Sequence, residues 1–508
     1  MAIRTFAAIY IGSYEVGLKI FEISQKKLKK IDHIRSRVEL GKDAYRKGVI
    51  GYELVEELCQ VLKGFGQIMD SYKVNDCRVC ASSLFQDVSN EWFVLDQIRQ
   101  RTKLTVQVLS NSEQRFISYK SLAYNPVFER LIQESAAVVD VGGGSVQVTL
   151  YFGGRAVTTQ QIVLGLMRIR EKLSAIQGQV VNYEELVQEM VDKELEIFCD
   201  LYLKEKKVKY IIMVGDYIGD MVKNIQRRNE DDTIEAERFL KAMKKLQKKN
   251  SAEVASALGY SNEQDPLLIP SVVLYRRLAE ATGGDYVWVP GVNISDGIAY
   301  DYAQKNKILK PAHDFEGDIL SAARALAARY KSKTEHTETL TEAAAVIFDA
   351  MKTVHGLGKR ERLLLMTAAI LHDCGRYISL VNQAECSYQI IMASEIIGMS
   401  HLEREIAATA VKYISAPLAD YEELKEKLDQ ESYLVAAKLS AILKLANAMD
   451  RSHRQKFKKV RAALKEKQLV ITVETSENFV LEKRLFQAYT EAFEQVFSIE
   501  PVLREKRI

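Results

Sequence analysis

Two short stretches of this chain place glycine and serine where they can do chemistry with an anion. Residues 7–20 read AAIYIGSYEVGLKI and residues 137–150 read AVVDVGGGSVQVTL. Glycine can take positive φ and lets a ligand come close to the backbone amides. Successive N–H groups in such a turn form a nest for an anion, and a serine hydroxyl adds one more donor. Gly12, Ser13, Gly142, Gly143, Gly144 and Ser145 are therefore the candidate phosphate-binding residues. The plainer alternative is a pair of tight hairpins that hold nothing.

The elements that would carry these residues follow from hydrophobic period. Each stretch is an apolar strand, a glycine-containing turn and a second strand alternating with period two (Val16, Leu18, Ile20; Val146, Val148, Leu150). An echo of this kind predicts two similar lobes facing one another, with a ligand site in the cleft between them. Farther on, SAARALAARY, TLTEAAAVIFDAMKTV, RERLLLMTAAILHD and VAAKLSAILKLANAMD carry apolar residues at helical spacing, so residues 314–460 read as an all-α region. From 461 onward KQLVITVETS reads as a strand and NFVLEKRLFQAYTEAFEQVF as a helix.

Bulk properties narrow the class. A chain of 508 residues exceeds what one hydrophobic core organises, so several domains are expected. The net charge of +3 gives no global argument for nucleic acid or a membrane surface, and neither is expected as a partner. The basic runs KEKKVKY (204–210) and KAMKKLQKKN (241–250) read as solvated helix faces. Six scattered cysteines are too few for a disulfide framework and fit a reducing, cytoplasmic setting. Cys77 and Cys80 have C-x2-C spacing, but they lie in a predicted strand and face opposite sides, so they read as buried thiols. No uncharged run of about twenty apolar residues is present to span a bilayer. The N-terminal apolar run is broken by Glu15 and Lys19, unlike a signal peptide.

The second hairpin, VVDVGGGSVQV, resembles the signature DIGGGSTEL of the Ppx/GppA family of exopolyphosphatases and guanosine pentaphosphate phosphatases. The hairpin pair is similar to the two phosphate loops of the actin-like superfamily. CASSLFQDVSN (80–90) is similar to the family's ATSAxREAxN segment, and VQVLSNSEQRF (106–116) to its VISGxEEARL segment. The resemblance runs over essentially the whole chain. It implies an α/β fold of two actin-like (ribonuclease H-like) lobes, an all-α HD-like domain and a small C-terminal α/β unit. The expected boundaries are 1–128, 129–308, 309–460 and 461–508. It further implies hydrolysis of polyphosphate or guanosine pentaphosphate in the cleft, with Mg²⁺ held by acidic groups and water activated by a glutamate. A homodimer held through the C-terminal domains would resemble the family.

Carried over residue by residue, the pattern departs at the chemistry. The family's first-hairpin aspartate falls on Tyr10, while the second survives as Asp140, the expected Mg²⁺ ligand. The glutamate ending GGGSTE falls on Gln147, and the EE pair falls on Glu113 and Gln114. Gln114 takes the place of the water-activating glutamate, although a one-residue shift of the loop would put Glu113 there. The arginine of ATSAxRE falls on Gln86, the asparagine of GSN on Tyr14, and the third glycine loop reads MVGDYIGD (213–220). Glutamine can orient water but cannot take its proton, and it binds Mg²⁺ more weakly than a carboxylate. The expectation is weakened hydrolysis, with a binding-only regulatory protein as the alternative. In the helical region His336, His372, Asp373 and Asp450 fit the HD pattern and are the expected ligands of a single divalent metal, which opens metal-dependent hydrolysis there as a further alternative. The family's HHKHS is QAECS (383–387) here and a later histidine falls on Ile414, which removes a second metal. The other reading of these residues is a hydrogen-bonded cluster that locks helix ends together.

Overall fold

Strand β1 (Arg4–Ile11) is apolar on both faces, with Phe6, Ala7, Ala8, Ile9 and Ile11 all fully buried. Such a strand must be covered on both sides and belongs inside a sheet. In the computed structural model, which describes residues 4–24, 27–173, 183–204, 206–225, 231–259 and 265–507, it is central in a five-stranded sheet. β1 pairs antiparallel with β2 (Glu15–Ser24), which pairs with β3 (Lys27–Arg37). On its other side β1 runs parallel to β4 (Asp76–Ala81), followed by β5 (Val106–Val108). The outer strand β3 is rich in Lys and Arg, which protects a sheet edge from pairing with other chains. Cys77 and Cys80 sit in β4 as free thiols.

A second sheet repeats this wiring. β6 (Ser135–Val141) is paired with β7 (Val146–Phe152) and, through it, β8 (Arg155–Ile162). On the other side stand β9 (Tyr210–Gly215), then β11 (Tyr286–Trp288) with the short β10 (Ile234–Glu235) at the edge. The two hairpins match in register. Ile11 pairs with Val16 and Val141 with Val146, leaving four-residue loops closed by Gly12 N–H to Glu15 O and Gly142 N–H to Ser145 O, both 3.0 Å. One pair further from each loop, Tyr10 faces Gly17 and Asp140 faces Gln147. Tyr10 and Asp140 thus occupy equivalent positions in the two lobes.

The first sheet is covered on one face by the helix Tyr52–Ser71, whose Leu58, Leu62 and Phe65 pack with Ile9, Ile11 and Leu18. Its other face is covered by the helix Ile294–Lys305, although that helix follows the second sheet in the chain. Ile298, Ala299 and Ala303 pack there with Phe6, Ala8 and Phe21. These elements belong to a compact unit, Met1–Asp314.

The second unit, Phe315–Ile508, is built on helices Phe315–Arg329, Thr334–Ala350, Lys359–Leu371, Gln383–Ala393, His401–Lys412 and Gln430–Met449. Leu340, Ile347, Leu365, Ile391 and Leu443 are among its fully buried core residues. A three-stranded sheet of β12 (Lys459–Lys465), β13 (Gln468–Thr475) and β14 (Glu500–Arg507) completes it, β13 running parallel to β14. Among the described residues no helix is long and apolar enough to cross a membrane.

Candidate functional site

The two glycine loops converge. A Cβ placed on Gly143 would lie 1.9 Å from Ser13 Oγ of the other loop, and one placed on Gly165 would lie 2.1 Å from the Gly143 carbonyl oxygen. Close approach is thus what selects glycine here. The expected positive φ is absent, since Gly12, Gly142, Gly143 and Gly144 all keep φ outside the left-handed region. The carbonyl of Gly143 accepts from Met167 N at 2.9 Å, while the N–H groups of Gly143 and Gly144 find no acceptor among the described residues. Between the loops a cleft of ≈ 120 Å³ is lined by Tyr10, Ser13, Gln114, Asp140, Gly142–Ser145 and Asp216, among others. The hydroxyl of Ser82, also on its wall, is buried with no hydrogen-bond partner, as is the Oε1 of Gln147 behind it.

One cation dominates this cleft. Arg115 Nη1 lies 2.7 Å from Asp140 Oδ1, with both side chains almost wholly buried. Its Nη2 donates to Ser145 O at 3.1 Å and to Ser145 Oγ at 3.3 Å. Tyr10 stands nearby, its phenol held protonated because burial outweighs the charge of Arg115. Glu113, two residues before Arg115, is spent elsewhere. It is the third residue of the helix Asn111–Ala123, and its Oε2 accepts from Ser110 N at 2.9 Å and Ser110 Oγ at 2.8 Å in a capping box. Gln114, not Glu113, lines the cleft, so the one-residue shift that would have supplied a carboxylate does not occur. Gln86 is exposed in the turn Ser83–Asp87 and does not line the cleft.

Two further carboxylates stand on the cleft wall. Burial, and then the charge of Asp216, push the Glu15 carboxyl up to about 7. Asp216 is itself raised, by burial first and with a contribution from Asp140. At the mouth Asp265 accepts from Tyr14 Oη and Tyr217 Oη, each at 2.9 Å, and so ties the first loop to the second lobe. Tyr217 has φ 67° and ψ −36°, and Ile218 N–H reaches back to Asp216 O at 2.8 Å. This is a strained γ-turn, a conformation that persists only where its surroundings enforce it.

In the second unit the four expected metal ligands bond to other groups or to one another. His336 Nδ1 meets Asp450 Oδ2 at 2.8 Å, and His336 Nε2 meets His372 Nε2 at 3.1 Å. Asp373 is taken by Gln383 Nε2 at 2.6 Å and by Arg376 Nη1 at 3.2 Å. His372 Nδ1 lies 2.8 Å from Ala369 O, and His453 stacks on His336 with centroids 3.6 Å apart. His336, His372, Asp373 and Asp450 therefore do not form one ligand set. The geometry is that of a hydrogen-bonded cluster at helix ends. Among the described residues no group of three or more His, Cys, Asp or Glu is arranged to hold a metal ion.

A model described as the Ppx/GppA phosphatase family matches residues 19–306, more than half of the chain, and one described as Ppx/GppA phosphatase, domain III, matches residues 320–492. The chain belongs to the Ppx/GppA phosphatase family. An exopolyphosphatase from Cytophaga hutchinsonii shares the fold at 16% identity, over 60% of this chain and 99% of its own, with a TM-score of 0.52. A Ppx/GppA family member from Aquifex aeolicus aligns at 20% identity over 60% of this chain and 99% of its own, with a TM-score of 0.48. The bifunctional 3-dehydroquinate synthase/phosphatase of Fusobacterium nucleatum is 27% identical over 188 residues. That match takes in 35% of this chain but only 28% of the relative's length.

Against the Ppx/GppA pattern, the residues present do not fit a magnesium ion at Asp140. Its carboxylate already carries a guanidinium, the equivalent position in the other lobe is a neutral phenol, and the residue opposite is an amide. In the sequence Arg115 shows only as a departure from the family pattern. In the segment similar to VISGxEEARL it stands where the family has alanine. Glu15 and Asp216 leave no local pattern in the sequence, because they share a cleft wall only where the two lobes meet.

Proposed function

We propose that this protein is a weakened, exopolyphosphatase-like phosphohydrolase that holds the terminal phosphates of polyphosphate or guanosine pentaphosphate in the interlobe cleft. The observation that carries this reading is the convergence of Ser13 with the Gly142–Ser145 loop beside Arg115. Backbone N–H groups and a guanidinium are what a phosphoryl group needs, since catalysis of its transfer is mostly positioning and charge stabilisation. Magnesium, where a family member holds it, supplies charge neutralisation at the phosphoryl oxygens. In this chain Arg115 stands at Asp140 instead.

Attenuation follows from the neighbours of that loop. Gln114 can orient a water toward phosphorus but cannot accept its proton near neutral pH. Glu113 cannot replace it while it caps its own helix. These facts equally favour a second reading, in which the ligand is bound and not turned over. One experiment separates them: phosphate release and binding measured side by side on polyphosphates of several lengths and on guanosine tetra- and pentaphosphate. Saturable binding with slow release supports the proposal, and saturable binding with no release supports the second reading. Absence of binding across the panel would sink both.

A further inference from the structure

We propose that Arg115 is the resident cation of the cleft, so that a phosphate chain binds there without a divalent metal. The inference rests on the phosphate reading above and makes it specific. Three observations carry it.

The first is occupancy. Arg115 Nη1 lies on Asp140 Oδ1 at 2.7 Å, in a place where the two side chains are only 5% and 7% exposed. A divalent ion on that same oxygen would stand close to the guanidinium, with the single negative charge of Asp140 to offset three positive ones. The second is the donor set. A hard cation needs several anionic or strongly polar oxygens. The hairpin positions beside Asp140 offer the Tyr10 phenol, which burial keeps protonated, and the Gln147 amide. The carboxyl of Asp216 on the same wall is pushed toward its neutral form by burial and by Asp140. The third is spare donor capacity. A guanidinium has five N–H groups, and the bonds to Asp140, Ser145 O and Ser145 Oγ use at most three of them. The guanidinium also lies against the glycine loop, 3.0 Å from where a Cβ on Gly142 would be. Its planar fork matches phosphate oxygens, and its charge does not titrate in the physiological range. Arg115 therefore brings to the loop the fixed positive charge that an ion would otherwise bring.

The test is calorimetric titration of the full chain with inorganic tripolyphosphate, once in EDTA and once in excess Mg²⁺. The inference requires binding in EDTA that Mg²⁺ does not tighten by more than about threefold. Tightening of tenfold or more by Mg²⁺ overturns it while leaving the phosphate reading standing. No binding in either medium removes the phosphate reading and this inference with it. A second arm uses the charge-balanced double variant Arg115→Ala/Asp140→Ala, checked for folding by circular dichroism. Loss of affinity of at least tenfold in EDTA is expected, and unchanged affinity in a folded variant overturns the assignment. Should the double variant not fold, the wild-type comparison still decides.

Discussion

The Nε2 atoms of His336 and His372 face each other at 3.1 Å, and the groups behind them fix where the protons are. The Ala369 carbonyl can only accept, so His372 carries its proton on Nδ1 and turns an unprotonated Nε2 toward His336. His336 must then donate from Nε2 while its Nδ1 meets Asp450. Hydrogen bonds from His336 and Gln455 hold the Asp450 carboxyl below its ordinary range although burial opposes them. The result is a buried carboxylate–histidine–histidine cluster in which His336 bridges Asp450 and His372.

The acid sensitivity of the second unit follows from that cluster. Burial first, then the charge of His336, lowers His372 to about 4. An unfolded histidine titrates near 6.5, so between these values the unfolded chain binds more protons than the native one. Stability therefore falls as pH drops from about 6.5 to about 4, by at most about 1.4 kcal/mol per pH unit for His372. Urea unfolding followed by far-ultraviolet circular dichroism at pH 7 and pH 5 reads this directly, and His372→Asn should flatten the difference.

Arg115→Ala alone leaves Asp140 buried without its partner and is expected to destabilise the first unit by about 3–5 kcal/mol. Adding Asp140→Asn should recover part of that loss, because residues in one ion pair do not act independently. Trp92 and Trp288 are the only tryptophans and both lie in the first unit, so tryptophan fluorescence during urea unfolding isolates this effect. Equal midpoints for the single and double variants would show that the pair is not coupled.

Glu15→Gln should change the pH dependence of ligand binding. With the Glu15 carboxyl pushed up to about 7 by burial, it is mostly neutral at pH 6 and ionised at pH 8. An ionised carboxylate on the cleft wall repels phosphate, so wild-type affinity for tripolyphosphate should fall more steeply across that interval than the variant's. Comparing the two proteins at each pH cancels the titration of the ligand itself. For stability the sign is also fixed: the native state holds this proton more tightly than the unfolded chain, so the contribution is present below about 4.5 and is lost as pH rises through about 7.

Gly165→Ala tests the closeness of the loops. The added Cβ would meet backbone atoms of Gly143 and Gly144 at 2.1–2.3 Å, which no rotamer change can relieve. A destabilisation of about 1–3 kcal/mol and displacement of the glycine loop are expected, together with weaker tripolyphosphate binding. Wild-type stability in this variant would mean that the loop has room it does not show.

Much of this arrangement was legible from residue order, and the physical reasons are instructive. Period-two alternation around Gly12 and Gly143 predicted two hairpins because strand pairing is local and strongly patterned. Motif spacing put Tyr10, Gln114, Asp140 and Gln147 together because strands and a helix N-terminus are rigid carriers. Arg115 was not legible as a partner of Asp140, since the two meet only after the first lobe's helix docks on the second lobe's hairpin. Of the two properties expected of the glycines, positive φ is absent, and the space left by the missing side chain is used by the opposite loop. The order of His336, His372, Asp373 and Asp450 along the chain fits the HD pattern, but order says nothing about whether side chains point at an ion or at each other.

The helix Ile294–Lys305 closes the first lobe from the far end of its unit, and Gly297 lets it come so near that a Cβ there would sit 2.0 Å from the Ile117 carbonyl oxygen. A fragment ending at residue 128 would consequently leave Phe6, Ala8 and Phe21 bare to water. The halves of this unit share a fold but are not interchangeable modules. The first half is finished only when the last helix has been synthesised, and any dissection of the protein must keep both.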